Sequence, residues 1–190
     1  MEPANNKPIV NNSVRIKIPR WDDLPTFEIY SEQLITIVDD SIGSIIVGDE
    51  IAITKNMVNN YVKSKAIPKP IRKKYNKTHI AYCIIISVLK PIMNIADISS
   101  MIEYYIDIDS VENTYNKFCD YLESTFDKVY KALSNGDSKV CWNEFTSNKE
   151  DIILVSSCVS IAFNVLLKSL IGCLQDRIIK GVGENDREEH

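Results

Sequence analysis

The chain has 190 residues, of which 45% are hydrophobic and 25% charged, and a net charge of −4, as in an ordinary globular protein of one domain or two small ones. Its five cysteines are odd in number with no two within three residues of each other, and only two histidines are present. This argues against a disulfide framework and a Cys/His metal site, and we expect no cofactor. The N-terminus lacks the apolar core of a signal peptide, and the apolar run from Ile152 to Leu167 is short for a membrane span. We therefore expect a cytoplasmic protein that does not bind membranes.

Residues 1–26 are rich in Pro and Asn and show no helical period, which predicts an N-terminal arm. Its apolar side chains Ile16, Ile18 and Trp21 are expected to pack on the domain. From Phe27 onward, apolar residues recur every three or four positions, and this pattern predicts a first helix over about 27–46.

A short amphipathic helix is predicted over about 54–63, with Thr54 as its N-cap. One face is apolar and the other consists of Lys and Asn. Pro68 and Pro70 prevent the helix from continuing and stiffen a basic loop over 69–75.

Charge is divided unevenly along the chain. The span 51–96 carries nine of the 22 Lys and Arg residues and none of the 26 Asp and Glu residues, so the rest carries 13 positive and 26 negative side chains. A one-signed patch on an acidic protein is typical of a surface that binds a polyanion.

Four more helices are predicted after the basic loop: a buried one over about 77–89 that Asn76 caps, then about 94–106, 110–134 and 148–180. The last is expected to end at Gly181. The predicted fold is therefore all-α, with a winged helix-turn-helix in the N-terminal half and a helical hairpin in the C-terminal half. The expected divisions are an arm (1–26), a DNA-binding domain (27–106), a helical core and dimerisation region (107–181) and a disordered tail (182–190).

In this interpretation the 54–63 helix enters the major groove of double-stranded DNA, where Asn can pair with adenine and Lys with guanine. The basic loop is the wing and follows phosphates, which supply affinity without sequence information. The candidate base-reading residues are Lys55, Asn56, Asn59, Asn60 and Lys63. The candidate phosphate-binding residues are Lys69, Arg72, Lys73, Lys74, Tyr75 and Lys77.

The segment from Ile53 to Ile102 resembles the DNA-binding half of MerR-type regulators, which place a basic wing ending in Tyr after the recognition helix. Residues 15–125 resemble more closely the domain of unknown function 1836 family. The motifs that carry this resemblance are IPRWDDLP (18–25), EIYSEQLI (28–35), MVNNYVK (57–63) and KKYNKTHIAY (73–82). The resemblance implies DNA binding, with no settled target or ligand. The chain lacks the cysteine pair and the single long coiled coil of MerR proteins, which argues against metal sensing of their kind.

An enzyme is not expected, because no Gly-rich phosphate loop and no credible Ser/His or Cys/His arrangement is present. We therefore predict a DNA-binding transcriptional regulator, with a possible homodimer through the C-terminal helices. One alternative is a protein-interaction module whose basic patch binds an acidic partner. Another is a ligand sensor with a pocket between the two halves, lined by aromatic residues such as Tyr104, Tyr105, Phe118 and Trp142.

Overall fold

The computed structural model describes residues 16–46, 51–134, 145 and 148–188. The described residues are mostly helical and contain no β-strand, which confirms the all-α prediction. The helices of the described part are α1 Ser31–Ile42, α2 Lys55–Lys63, α3 Lys77–Leu89, α4 Ile95–Ile108, α5 Val111–Ser134 and α6 Ile152–Glu188.

The bounds of α1 and α6 differ from their predictions, and α1 also ends at Ile42, four residues before its predicted end. Helix α1 begins at Ser31 instead of 27, because the backbone before it is extended and Ile29 pairs with Tyr75 as an isolated antiparallel bridge. Helix α6 continues through Gly181 to Glu188, so its predicted end at Gly181 is wrong and the predicted disordered tail is helical as far as Glu188.

Polar side chains cap the helices at the positions that local sequence indicates. The Thr54 hydroxyl accepts a hydrogen bond from the Met57 N–H (3.2 Å), and the Asn76 side chain accepts one from the His79 N–H (3.3 Å). Each bond satisfies an N–H group that has no partner within the helix. The two predicted caps are therefore confirmed, and they fix the residues at which α2 and α3 begin.

Helix α3 is the central helix of the fold. From His79 to Leu89 all its residues but one are buried, and α1, α4, α5 and α6 all pack against it. Burial of each large aliphatic side chain stabilises the fold by roughly 1.5–3 kcal/mol. One continuous hydrophobic core joins the N-terminal arm, the front helices and the two long rear helices.

The arm lies along α5. Arg20 binds Glu123 through both guanidinium nitrogens, at 2.8 and 2.9 Å, and the same carboxylate accepts the Ile18 N–H at 2.8 Å. The buried hydroxyl of Tyr115 donates to the Pro19 carbonyl (2.8 Å). Ile16 and Ile18 are buried and Trp21 is half-buried against the core, as predicted.

Helices α5 and α6 pack against each other over much of α5. The stretch Lys149–Gln175, which includes the first part of α6, is the one helix in the described part with the length and hydropathy to cross a membrane. Only 44% of its most apolar window is buried in the protein. The outward face of α6 therefore carries apolar side chains that the single chain does not cover.

Candidate nucleic-acid interface

Helix α2 docks through its apolar side and exposes its Lys/Asn side. Val58 and Tyr61 are buried against the core, and Met57 and Val62 are half-buried. The outward face is the one the sequence predicts, and its exposed members are Lys55, Asn56, Asn59, Asn60 and Lys63. The helix can therefore present amide and ammonium groups to a partner without exposing its apolar side.

The end of α2 turns the chain sharply toward the basic loop. Lys65 has a φ of 62°, the Ala66 N–H donates to the Tyr61 carbonyl (2.8 Å), and the Lys65 N–H donates to the Val62 carbonyl (3.2 Å). This is a Schellman motif, in which Gly is the preferred residue at the left-handed position. Here the position holds an exposed lysine. Sequence reasoning did not include Lys65 among the candidates, although it lies in the acid-free span two residues after the helix.

The predicted wing (69–75) contains a very tight turn. The Lys74 N–H donates to the Ile71 carbonyl (2.9 Å), and the two residues form an antiparallel bridge. Arg72 and Lys73 at the tip have φ values of 51° and 62°. Positive φ at both central residues is the geometry of a type I′ turn, which normally holds Asn and Gly. The fold therefore places two cations where the backbone favours other residues.

The base of the wing is tied to the start of α1. The N–H and carbonyl groups of Ile29 and Tyr75 exchange two hydrogen bonds, each 2.8 Å long. The Tyr75 side chain is only 5% exposed and packs edge-on against His79. Tyr75 is therefore a core residue, and we remove it from the candidate phosphate ligands.

Some of the candidate cations already have acidic partners. Lys55 binds Glu32 (2.7 Å), Lys74 approaches Glu28 (3.8 Å), and Lys77 approaches Asp22 (3.7 Å). Lys77 also lies over the Trp21 ring and is mostly buried, so it holds the arm and is a poor phosphate ligand.

The pair of Lys55 and Glu32 is fully exposed. The hydrogen bond from Lys55 holds the pKa of Glu32 at about 2, so this carboxylate is charged at any physiological pH. Lys55 would have to leave Glu32 to contact a base. Glu32 binds Lys55 at the start of α2, and Glu28, four residues earlier in the chain, lies near Lys74 of the wing. These two ion pairs connect α2 and the wing to the same short segment at the start of α1.

Apart from Lys90 at the end of α3, five cations of the acid-free span form no ion pair within the described part of the chain. They lie on α2, in its terminal turn and along the wing, and their side chains are exposed. They are Lys63, Lys65, Lys69, Arg72 and Lys73. We refer to these five residues as the free cation set.

The rest of the described chain offers little for metal or covalent chemistry. No group of three or more His, Cys, Asp or Glu side chains there could hold a metal ion. Burial raises the pKa of the thiols of Cys83 and Cys119 to about 12, so both are protonated and poor nucleophiles at neutral pH. Trp142, expected in an aromatic pocket, lies outside the described residues, and Tyr105 and Phe118 are core residues.

His79 couples the stability of the wing region to pH. Its Nδ1 accepts the Asn76 N–H (3.1 Å), and burial lowers the pKa of His79, with the backbone of Pro68 and Lys69 opposing this shift in part. Because the folded pKa lies below the unfolded value of about 6.5, the unfolded chain binds more protons in the window between the two. We expect stability to fall as the pH is lowered through that window.

The His79→Gln variant should lose this part of the pH dependence, because Gln can also accept the Asn76 N–H but does not titrate. Melting temperatures at pH 5 and pH 7.5 provide the measurement. The loss of stability at pH 5 should be larger in the wild type than in the variant. Parallel profiles for the two proteins would contradict the assignment, since all other titrating groups are common to both.

The family comparison covers the region described above. The model of a family described as a domain of unknown function, DUF1836, matches residues 19–118, which is just over half of the chain. Searches of curated proteins and of solved structures find no match. The matched residues begin where the arm contacts α5, contain the whole of α1 to α4, and end in α5 just beyond Tyr115. The chain thus belongs to the DUF1836 family.

Proposed function

We propose that the protein is a DNA-binding transcriptional regulator that places α2 in the major groove and the wing on the phosphate backbone. The observation that carries the proposal is the free cation set beside an exposed Asn face, in a span without a single carboxylate. Phosphates attract such a set, and neutral amides can pair with base edges. An acidic protein partner would use the cations equally well but would have no special use for three amides on one helix face. Exposure of Asn59 and Asn60 therefore favours DNA over that alternative.

The proposed arrangement is a winged helix-turn-helix similar to that of MerR regulators. The Ile29–Tyr75 bridge and the Ile71–Lys74 turn support a wing after the recognition helix. The connection from α1 to α2 is longer than the three- or four-residue turn of a standard helix-turn-helix, because α1 ends at Ile42 and α2 begins at Lys55. We accordingly assign the docking of α2 to its packing on α1 and the hydrophobic core rather than to a tight turn.

We further propose that the protein binds DNA as a homodimer through α6, with α5 and α6 as a helical hairpin that presents the contact surface. Helix α6 carries four exposed apolar side chains that follow one another at spacings of four, four and three residues. At this spacing they form one stripe along the helix. We call it the α6 stripe, and its residues are Phe163, Leu167, Ile171 and Leu174. A dimer would cover this stripe and present two copies of α2 to two half-sites of DNA.

The regulator proposal is tested by DNA binding at several salt concentrations. The full chain should bind random duplex DNA at low salt, and the logarithm of its affinity should fall linearly with the logarithm of salt concentration. Lys65→Gln with Lys69→Gln should make this slope shallower by about 2, because two phosphate contacts are lost. Lys17→Gln with Lys149→Gln, which removes two exposed cations outside the acid-free span that also form no ion pair within the described residues, is the matched control and should leave the slope unchanged.

The amide face should behave differently from the cations. With a duplex selected in vitro by the wild type, Asn59→Ala and Asn60→Ala should each cost about 1–3 kcal/mol of binding free energy, with the salt slope unchanged. Absence of binding to random duplex at low salt would refute the proposal. An equal loss of slope in the control would show that the binding is not localised to this surface.

A further inference from the structure

The outward face of α6 has two unlike halves. Its positions between 153 and 174 alternate in spacing between three and four residues, which is the heptad spacing of a seam between two packed helices. All seven positions are exposed or half-buried in the single chain. The first three form the small half, Ile153, Ser156 and Ser160. The last four form the bulky half, which shares three residues with the α6 stripe and consists of Phe163, Leu167, Leu170 and Leu174.

A groove of about 320 Å³ lies at the small half. The small half forms it together with Ile152 and Ser157 of α6 and with Ile92 and Met93 of the connection between α3 and α4. Ile152 and Ile153 are 47% and 48% exposed, so the groove opens outward. Every lining residue is apolar or a serine, and the groove therefore suits apolar side chains.

Two serines of this groove can be covered without a loss of hydrogen bonds. The Ser156 hydroxyl donates to the Ile152 carbonyl (2.5 Å), and the Ser157 hydroxyl donates to the Ile153 carbonyl (2.9 Å). A serine hydroxyl that is satisfied within its own helix does not need water as a partner. These two serines therefore leave space for an apolar side chain and no unpaired hydroxyl beneath it.

Two copies of α6 can pack face to face in two orientations, and these side-chain sizes match only one of them. In a parallel pair each position faces its own copy, so Phe163 meets Phe163 and the serines meet serines. Such a seam is crowded at one end and empty at the other, and both faults weaken packing. In an antiparallel pair the bulky half of each copy lies opposite the small half of the other, so large side chains face small ones.

A second copy of the chain is the occupant that the groove fits best. The groove and the side chains that fill it lie on one helix face, which is the self-complementarity that a two-fold dimer requires. None of the seven positions is charged, so the seam has no charge to attract a basic or an acidic partner. A lipid surface would use the bulky half but would have no use for a groove lined by serines.

We propose that two chains dimerise with their α6 helices antiparallel, each placing its bulky half in the groove of the other. Since the two halves must overlap, the helices cross at about residues 161–165. This inference rests on the proposed homodimer and gives it a geometry. It does not rest on DNA binding and is tested without DNA.

The Ser160→Leu variant gives opposite results for the two orientations. In the antiparallel dimer the added side chain collides with the bulky half of the other copy and should raise the dissociation constant at least about tenfold. In a parallel dimer the same leucine would fill the gap between two serines and tighten the dimer. Ser100→Leu, at an exposed serine of α4, is the matched control and should leave the dissociation constant unchanged. Analytical ultracentrifugation measures this constant.

Distances between spin labels measure the orientation directly. Cys173 is exposed, whereas Cys83, Cys119 and Cys158 are buried, so the label reacts at Cys173 once Cys141→Ser removes the remaining thiol. At about 1.5 Å per residue, the two labels of an antiparallel dimer should lie about 25–35 Å apart. In a parallel dimer they would lie about 10–15 Å apart, close to the separation of the helix axes.

A mixed dimer gives the complementary distance. One chain keeps the label at Cys173, and the other carries it at Glu150→Cys together with Cys173→Ser, since Glu150 is exposed just before α6 begins. The antiparallel dimer should bring these two labels within about 10–20 Å, whereas a parallel dimer would keep them about 35 Å apart.

Three results would overturn the inference. A short distance between the two Cys173 labels contradicts the antiparallel orientation and leaves the homodimer intact. Tighter association of Ser160→Leu than of the wild type does the same. A wild type that stays monomeric overturns both the orientation and the proposed homodimer, and the salt dependence of DNA binding then tests the regulator by itself.

Discussion

The double variant Leu167→Glu, Ile171→Glu is expected to be monomeric and to bind a two-half-site operator about 10²–10⁴ times more weakly than the wild type. Both side chains belong to the α6 stripe and are exposed in the single chain, at 56% and 45%. In the proposed dimer each would contribute roughly 1.5–3 kcal/mol through burial, and a glutamate in its place would bury an unpaired charge. In a dimer, binding of the first subunit to its half-site holds the second subunit near the other half-site at a high effective concentration. A monomer lacks this effect and therefore binds the operator more weakly.

Mass by light scattering after size exclusion and DNA binding by fluorescence anisotropy provide the measurements. The fold should survive, because substitutions at exposed positions usually change stability by less than about 0.5 kcal/mol. The matched control is Ile108→Glu with Leu133→Glu, which alters two exposed apolar residues outside the α6 stripe and should remain dimeric. A monomeric wild type would contradict the dimer, and association of the wild type with lipid vesicles instead would show that the stripe faces a membrane.

The wing-tip variant Arg72→Asn, Lys73→Gly is expected to make the protein more stable and a weaker DNA binder. Left-handed backbone costs a residue with a side chain about 1–2 kcal/mol, and Asn and Gly tolerate it. The two residues together therefore cost about 2–4 kcal/mol, and the added flexibility of Gly in the unfolded chain offsets about 0.5–1 kcal/mol, so the net gain should be about 1–3 kcal/mol. The salt slope of DNA binding should become shallower by about 2, because both tip cations are lost.

A matched variant separates the backbone effect from the charge effect. Arg72→Gln with Lys73→Gln removes the same two charges but keeps side chains that disfavour positive φ. It should lose the same salt slope with no gain in the free energy of unfolding. Urea titration and anisotropy measure the two quantities. A less stable Asn-Gly variant would contradict the turn geometry, and unchanged DNA affinity in both variants would show that the wing tip does not touch the backbone.

Interactions within a few residues made parts of this structure predictable. Thr54 and Asn76 cap helices because their side chains reach N–H groups three residues ahead, so the helix starts could be read from local sequence. The exposed Asn face of α2 followed from helical periodicity in the same way. The start of α1 was missed because the pairing of Ile29 depends on Tyr75, 46 residues later in the chain.

The properties that decide how the candidate site works depend on tertiary structure. Arg-Lys is not a sequence signal for a type I′ turn, so the geometry of the wing tip could not be foreseen. Lys77 is withdrawn from the surface by Trp21 of the arm, and Tyr75 is buried against His79. The sequence shows where positive charge is concentrated, whereas the packing decides which of those charges remain available to a partner.

The central position of α3 has a consequence for the family as a whole. The matched region ends at residue 118, yet α3 is also covered by α6, which lies wholly beyond that point. A fragment that stopped at residue 118 would expose to water the side of α3 that faces α6, and we expect it to be insoluble when expressed alone. A family member with a different C-terminal half must therefore provide other apolar residues that cover this side of α3. The C-terminal half can vary only as long as it does so.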